Sequence, residues 1–236
     1  MFFDHFYMTG LGMMAYGVIY LPFALFASWL VYRWILRQLP MVWLRRLLVV
    51  VSAGAIVTAP LWDVYAIGRE AEQLCNEQAG LHIYRTVEAE GFLGSGMSKY
   101  WADRGFKYVE SGGSQNRKFR GTMRNETVVI QEVEEFASQY QVGSGEDHTP
   151  IGKHMARSSY RVVDRQNGEV LGELIYFSIY PSWLDNLFIG LTGTGSGFSP
   201  WLCGNESQRG ARDRLGPEDV VLGTIKPRKA IVGESK

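Results

Sequence analysis

Two apolar stretches near the N-terminus constrain the fold of this chain more than any other feature. The first covers roughly residues 8–32 and the second roughly residues 47–67, and neither carries a charge before Asp63. At about 1.5 Å of rise per residue, a helix of either length crosses a hydrocarbon layer of about 30 Å. The sequence therefore predicts a two-helix transmembrane hairpin within residues 1–68.

The short hinge between the two stretches indicates the orientation of this hairpin. It contains four arginines and no acidic residue: Arg33, Arg37, Arg45 and Arg46. Short loops rich in Lys or Arg stay on the cytoplasmic side, so both chain termini are expected outside the cytoplasm. A cleaved signal peptide is the competing interpretation, but the first stretch lacks a basic n-region and is longer than an h-region.

The charge balance argues against a nucleic-acid partner. The chain has 236 residues with 24 basic and 24 acidic side chains, of which 20 and 22 follow residue 68. A domain with this balance lacks the basic face that binding to DNA or RNA demands. The expected partners are the lipid bilayer and another membrane or envelope protein.

Both cysteines, Cys75 and Cys203, fall in the part of the chain expected outside the cytoplasm. An even number of cysteines in an oxidising compartment favours a disulfide bond. Two independent buried thiols are the alternative.

Residues 69–203 are predicted to form an antiparallel β-rich periplasmic domain, which makes the fold class α+β. The clearest signal is a pair of strand-like runs, residues 160–163 and 170–180, on either side of Asn167-Gly168. Asn-Gly favours a type I′ hairpin turn, and the second run is apolar on both faces, as in a central strand. The polar composition of residues 204–236 predicts a flexible tail.

One apolar cluster follows the strands. Trp183, Leu187 and Phe188 belong to a short amphipathic segment that could close the sheet or lie on the membrane. We take these three residues as a candidate interaction patch, because exposed apolar patches mark contact sites. Capping of the protein core is the alternative role.

Patterns that would indicate catalysis, metal binding or phosphate binding are weaker than those that indicate the fold. His148 and His154, with Glu146 and Asp147 nearby, are candidate metal ligands, although the spacing matches no standard zinc motif. A solvated polar loop is the alternative. The glycine-rich residues 190–197 lack the Lys-Ser or Lys-Thr of a phosphate-binding loop. No cofactor is expected, and a non-enzymatic role is favoured.

Two segments resemble a group of membrane-anchored bacterial envelope proteins that have no established activity. Residues 74–87 contain a Cys, a glycine turn and the strand Ile83-Tyr84-Arg85-Thr86-Val87, and residues 160–173 are similar to the hairpin of that group. Cys203 matches a late cysteine. The resemblance implies an envelope location and a Cys75–Cys203 pair.

Three functional hypotheses follow for a multi-pass protein of a bacterial inner membrane with both termini in the periplasm. The first is an accessory protein that acts through protein–protein interaction. The second is a sensor of a small molecule or peptide that signals through a membrane partner. The third is a metal-assisted hydrolase centred on His148 and His154.

Overall fold

The chain is described from a computed structural model that places residues 7–34, 40–145, 148–192, 200–204 and 214–228. It divides into two compact units. The helical unit comprises Met1–Glu77, Pro150–Ala156 and Ser178–Trp201, and the β unit comprises Gln78–Thr149, Arg157–Phe177 and Leu202–Lys236. The division differs from the predicted boundary at residue 68 because the second long helix continues to Glu77. It also differs from a single domain over residues 69–203, because Pro150–Ala156 and Ser178–Trp201 belong to the helical unit.

Two long apolar helices form most of the helical unit. The first consists of α1 (Gly10–Ala15), a π-helical segment (Tyr16–Tyr20) and α2 (Leu21–Trp34), and the second is α3 (Val42–Glu77). Residues Gly12–Trp34 and the whole of α3 are long and apolar enough to cross a membrane. Only 17% and 11% of their most apolar windows are buried, whereas a core helix of a soluble protein is mostly buried. The prediction of two long apolar helices is confirmed.

Large apolar side chains cover the outside of both helices. Phe23 and Phe26 of the first helix, and Val50 and Val51 of the second, each expose more than half of their surface. Soluble proteins rarely expose contiguous apolar surface of this kind. This outer surface therefore suits a lipid environment better than water.

A shorter helix, α5 (Trp183–Thr192), also belongs to the helical unit. It contributes to a small apolar core whose buried members are Met8, Val64 and Leu184. Tyr16, Tyr20 and Phe188 pack against this core and remain partly exposed.

The β unit is built on a large, mostly antiparallel sheet, which confirms the α+β class. The described strands are β1 (Gly80–Ile83), β2 (Val87–Ala89), β3 (Gly91–Leu93), β4 (Tyr108–Gly112), β5 (Lys118–Arg124), β6 (Thr127–Val133), β7 (Tyr140–Ser144), β8 (Thr149–Ile151), β9 (Met155–Asp164), β10 (Val170–Ile179), β11 (Trp201–Cys203) and β12 (Ile225–Pro227). The spatial order along the main path of the sheet is β1-β10-β9-β7-β3-β4-β5-β6, with β11 paired to β10 and β8 paired to β9. Strand β3 runs parallel to both β4 and β7, and β2 and β12 form a separate parallel pair.

An aromatic cluster forms part of the core of the β unit. The rings of Phe92, Trp101 and Phe106 meet edge to face, with centroids 5.0–5.8 Å apart. Trp101 is supplied by the short helix α4 (Lys99–Asp103), which packs on the sheet. Burial of one such side chain contributes about 1.5–3 kcal/mol. Strand β10 is almost completely buried, as its apolar pattern predicts.

The predicted hairpin between β9 and β10 is present, but its turn is wider than a type I′ turn. Type I′ needs positive φ at both central residues, and of Asn167 and Gly168 only the glycine has it, at 74°. The Gly168 amide donates to the Asp164 carbonyl at 2.8 Å. The Asn167 side chain accepts from the Glu169 amide at 2.9 Å, and this local bond replaces the tight turn.

The C-terminal region differs from the flexible tail predicted from residue 204. Its described part contains helix α6 (Pro217–Thr224) followed by β12, and Val220 and Ile225 are fully buried. The Asp219 carboxylate accepts from the Gly216 amide at 2.8 Å and so caps α6. The polar residues of this segment thus begin a helix whose apolar face enters the core.

Candidate functional site

Two tyrosines of the first long helix hydrogen-bond to the backbone of α3 beside a proline. Pro60 lies inside α3 and has no N–H, so the carbonyl of Ile56, four residues earlier, loses its usual helical donor. The Tyr20 hydroxyl donates to that carbonyl at 2.6 Å, and the Tyr16 hydroxyl donates to the Val57 carbonyl at 3.0 Å. In an apolar environment a freed carbonyl needs another donor, and a neighbouring helix can provide it. Tyr20 supplies that donor at Ile56, and Tyr16 adds a hydrogen bond to the next carbonyl of α3.

Both tyrosines come from the π-helical segment of the first helix. Their rings stack with centroids 5.7 Å apart, which places the two hydroxyls along the same side of α3. Single π-helical turns inside α-helices occur frequently at functional sites. Here the turn aims two polar groups at the same short stretch of the α3 backbone.

A buried carboxylate fixes the beginning of the first helix. Asp185 of α5 is completely buried and accepts hydrogen bonds from both the hydroxyl and the backbone amide of Thr9, the latter at 3.3 Å. The Thr9 oxygen in turn accepts from the Gly12 amide at 2.9 Å, so that Thr9 caps α1. Gly12 leaves space for this arrangement, because a Cβ there would overlap the Asp185 carboxylate.

A second carboxylate, Asp63, meets a histidine and the start of α5. One Asp63 oxygen accepts from the Trp183 amide at 3.1 Å, and the other lies 3.9 Å from His154 Nε2. His154 Nδ1 lies 3.0 Å from the Pro181 carbonyl, which can only accept, so Nδ1 carries a proton. Nε2 therefore forms an ion pair with Asp63 only when the ring is doubly protonated.

The predicted interaction patch divides over two faces of α5. Trp183 and Leu187 are exposed, together with Leu191, which the sequence analysis did not single out. Phe188 packs against the core of the helical unit beside Leu184. The role of the patch in partner binding stays a prediction.

In the described part of the β unit, strand β6 forms one edge of the large sheet. Among the residues that the structure describes, β6 pairs only with β5, through the two-residue turn Asn125-Glu126. Ile130 lies opposite Gly121, so no cross-strand side chain covers it, and 66% of its surface is exposed. An edge with free backbone groups and an exposed apolar side chain is a template for pairing with another chain.

Two of the buried carboxylates of the β unit, Glu110 and Glu173, are paired with arginines. Glu110 is fully buried and accepts from Arg120 at 2.7 and 2.9 Å and from the Ser138 amide at 2.8 Å. Burial raises the pKa of Glu110, but hydrogen bonds from Ser138 and Arg120 outweigh it and hold the pKa below its usual value. Glu173 accepts from Arg161 at 2.7 Å. These networks stabilise the sheet.

The two candidate metal ligands have other partners. His148 Nδ1 lies 3.3 Å from the Ser158 hydroxyl, and His154 contacts Asp63 and Pro181. Within the described ranges, no group of three or more His, Cys, Asp or Glu side chains is arranged to hold a metal ion. Glu146 and Asp147, the other candidate ligands, lie outside those ranges.

The predicted disulfide is confirmed. Cys75 and Cys203 are bonded, and the chain has no free cysteine. The alternative of two independent thiols is therefore excluded.

Three of the four hinge arginines are described. The guanidinium groups of Arg33 and Arg45 each lie over an aromatic ring of α2, 5.5 and 5.8 Å from its centroid. Arg46 is exposed, and Arg37 lies outside the described residues. The use of these arginines to set orientation stays a prediction.

The hydrogen bonds from Tyr16 and Tyr20 to α3 were not predicted from the sequence. Pro60 inside an apolar run was a usable signal, because such a proline leaves a carbonyl that needs a donor. The partnership between Thr9 and Asp185 spans 176 positions, and no local pattern reports it.

Comparison with protein-family models, curated proteins and solved structures finds no match for this chain.

Proposed function

We propose that this chain is a membrane-anchored envelope protein whose β unit binds a protein partner at the open edge of its sheet. Its two long helices cross a bacterial inner membrane, and both termini lie in the periplasm. The observation that carries the proposal is strand β6 (Thr127–Val133), which pairs on one side only among the described residues.

Three features support the anchor and its orientation. The long helices expose apolar side chains over most of their length. The hinge between them is rich in arginine, as loops retained in the cytoplasm are. The Cys75–Cys203 bond suits an oxidising compartment such as the periplasm.

The backbone of β6 can accept a further strand. Arg124 and Thr127 flank the two-residue turn and face each other, so they form a hydrogen-bonded pair. Such pairs alternate with open ones along an antiparallel ladder. The amide and carbonyl groups of Val128, Ile130 and Glu132 therefore point away from β5 and are available to a partner.

The expected partner is a protein with an extended segment that adds to this edge. In strand addition, backbone hydrogen bonds supply affinity and alternate side chains supply specificity. β6 is rich in β-branched residues, which favour an extended backbone. Ile130 offers the partner an apolar contact at the middle of the strand.

Two substitutions at Glu132 test backbone pairing. Glu132→Pro removes an outward N–H without removing a bond to β5, and prolines are tolerated on edge strands. Glu132→Ala removes the same side chain and keeps that N–H. A photoreactive residue at Ile130 should capture a neighbour in intact membranes, and capture should survive the Ala change and be lost with Pro.

The control position for capture is Gln166, an exposed residue of the β9–β10 turn. Equal capture at both positions, or equal capture in the Pro and Ala variants, would contradict the edge-strand proposal.

Orientation is tested separately by a reporter enzyme fused after Lys236, which should be active only outside the cytoplasm. Activity confined to the cytosol would contradict the anchor orientation.

A further inference from the structure

We infer that α5 lies in the boundary between lipid headgroups and acyl chains, with Trp183, Leu187 and Leu191 in contact with lipid. This inference rests on the proposed membrane anchoring of the two long helices. It identifies lipid as what the exposed residues of the candidate interaction patch, Trp183 and Leu187, contact.

The three side chains lie on one face of α5. They are spaced four residues apart, which brings them to the same side of a helix. Their exposed fractions are 45% for Trp183, 50% for Leu187 and 71% for Leu191. The other side of α5 packs inward, since Leu184 is buried and Phe188 contacts the core of the helical unit.

The exposed face of α5 carries no charge. The single ionisable residue of the helix, Asp185, is buried and hydrogen-bonded to Thr9. Asn186 is a polar exposed residue of α5, and its side-chain amide donates to the Pro181 carbonyl at 3.0 Å. A helix that faces water normally presents charged or polar groups there. Residues 183–191 present three large apolar side chains instead.

Contacts within the helical unit place the start of α5 beside Asp63, near the end of the apolar stretch of α3. The Trp183 amide donates to Asp63, the first charge of that stretch, at 3.1 Å. Trp62 and Tyr65 lie beside Asp63 and are 72% and 52% exposed. Exposed Trp and Tyr residues mark the level of the headgroups. The start of α5 therefore lies at that level.

The length of α5 fits an interfacial position. Its ten residues extend about 15 Å, half of what a membrane-spanning helix needs. Helices that lie in the interface bury one apolar face at the boundary between headgroups and acyl chains. The Trp183 ring also meets Tyr20 of the first long helix at 6.4 Å, so its apolar surface continues that of the anchor.

Spin labelling of the full chain in liposomes tests the inference. Because both native cysteines are bonded, Leu187→Cys and Leu191→Cys each provide one reactive thiol. Label collisions with oxygen report lipid, and collisions with a water-soluble nickel complex report water. Phe26→Cys on the first long helix is the lipid reference, and Gln166→Cys in the β9–β10 turn is the water reference.

We expect labels at both α5 positions to collide more often with oxygen, and less often with the nickel complex, than the label at Gln166. Nickel accessibility equal to that of Gln166 would overturn the inference. Protection from both reagents would also overturn it, because the face would then be covered by protein, either a second copy or a partner. A nickel-accessible label at Phe26 would instead count against the anchor itself.

Discussion

The Tyr20 hydroxyl donates a 2.6 Å hydrogen bond to the carbonyl oxygen of Ile56, the carbonyl that Pro60 deprives of its helical donor. The bond joins the two long apolar helices, next to a second bond from the Tyr16 hydroxyl to the Val57 carbonyl. It also explains how a proline is accommodated in the middle of α3. A defect in one helix is compensated by a side chain of the other.

Loss of the Tyr20 hydroxyl should therefore destabilise the helix pair. We expect Tyr20→Phe to lower the free energy of unfolding in detergent by about 1–2 kcal/mol, since the Ile56 carbonyl is left without a donor. The sharper measurement is a double-mutant cycle with Pro60→Ala, which restores an N–H to α3. In that background the Tyr20→Phe cost should shrink. An unchanged cost would show that the hydroxyl does not compensate for the proline.

A methyl group at Gly12 should disrupt the contact between α1 and α5. The added Cβ would overlap the Asp185 carboxylate, which is fixed by Thr9. We expect Gly12→Ala to cost about 1–3 kcal/mol, as overpacking of a buried site does. Gly10→Ala is the matched control, because a Cβ at Gly10 meets no atom within 4 Å. Equal thermal unfolding of the two variants would contradict the close approach.

The coarse fold could be predicted because its signals are local. The apolar runs indicated two long helices, and the pattern around Asn167-Gly168 indicated a hairpin with a buried second strand. Helix α6 also had a local signal, Pro217 at the first helical position after Gly216, which the polar composition of the region obscured.

The candidate sites could be predicted less well because they depend on distant contacts. Asp185 sits in an apolar segment and gives no sign that Thr9 will bond to it. The open edge at β6 follows from the strand order, and strand order is a property of the whole sheet. Residue patterns identify strands without showing which strand will be left at the edge.

Reduction of the disulfide should weaken the folded chain. A bond that closes the loop between Cys75 and Cys203 contributes about 4–5 kcal/mol in the chain-entropy treatment. We expect the oxidised chain to migrate faster than the reduced chain in denaturing electrophoresis, and Cys75→Ser/Cys203→Ser to unfold at lower denaturant. Identical migration with and without reductant would contradict the bond. Each single Ser variant should match the double variant, since either one removes the same bond.

Acid should unfold the β unit partly through Glu110. Hydrogen bonds hold the pKa of this carboxyl below its ordinary value in the folded state. A group with a depressed folded pKa stabilises above its unfolded pKa, and this contribution is lost as pH falls through the folded pKa. Stability measured from neutral to acidic pH should therefore decline in the native chain, and the decline should be smaller in Glu110→Gln.

The same variant should also be less stable at neutral pH. Breaking a fully buried ion pair costs about 3–5 kcal/mol, and we expect a somewhat smaller loss because Arg120 is partly exposed. Glu132→Gln is the matched control, because Glu132 is exposed on β6. It should retain both the neutral stability and the acid decline of the native chain. A Glu110→Gln variant with the full acid decline would show that another carboxylate is responsible.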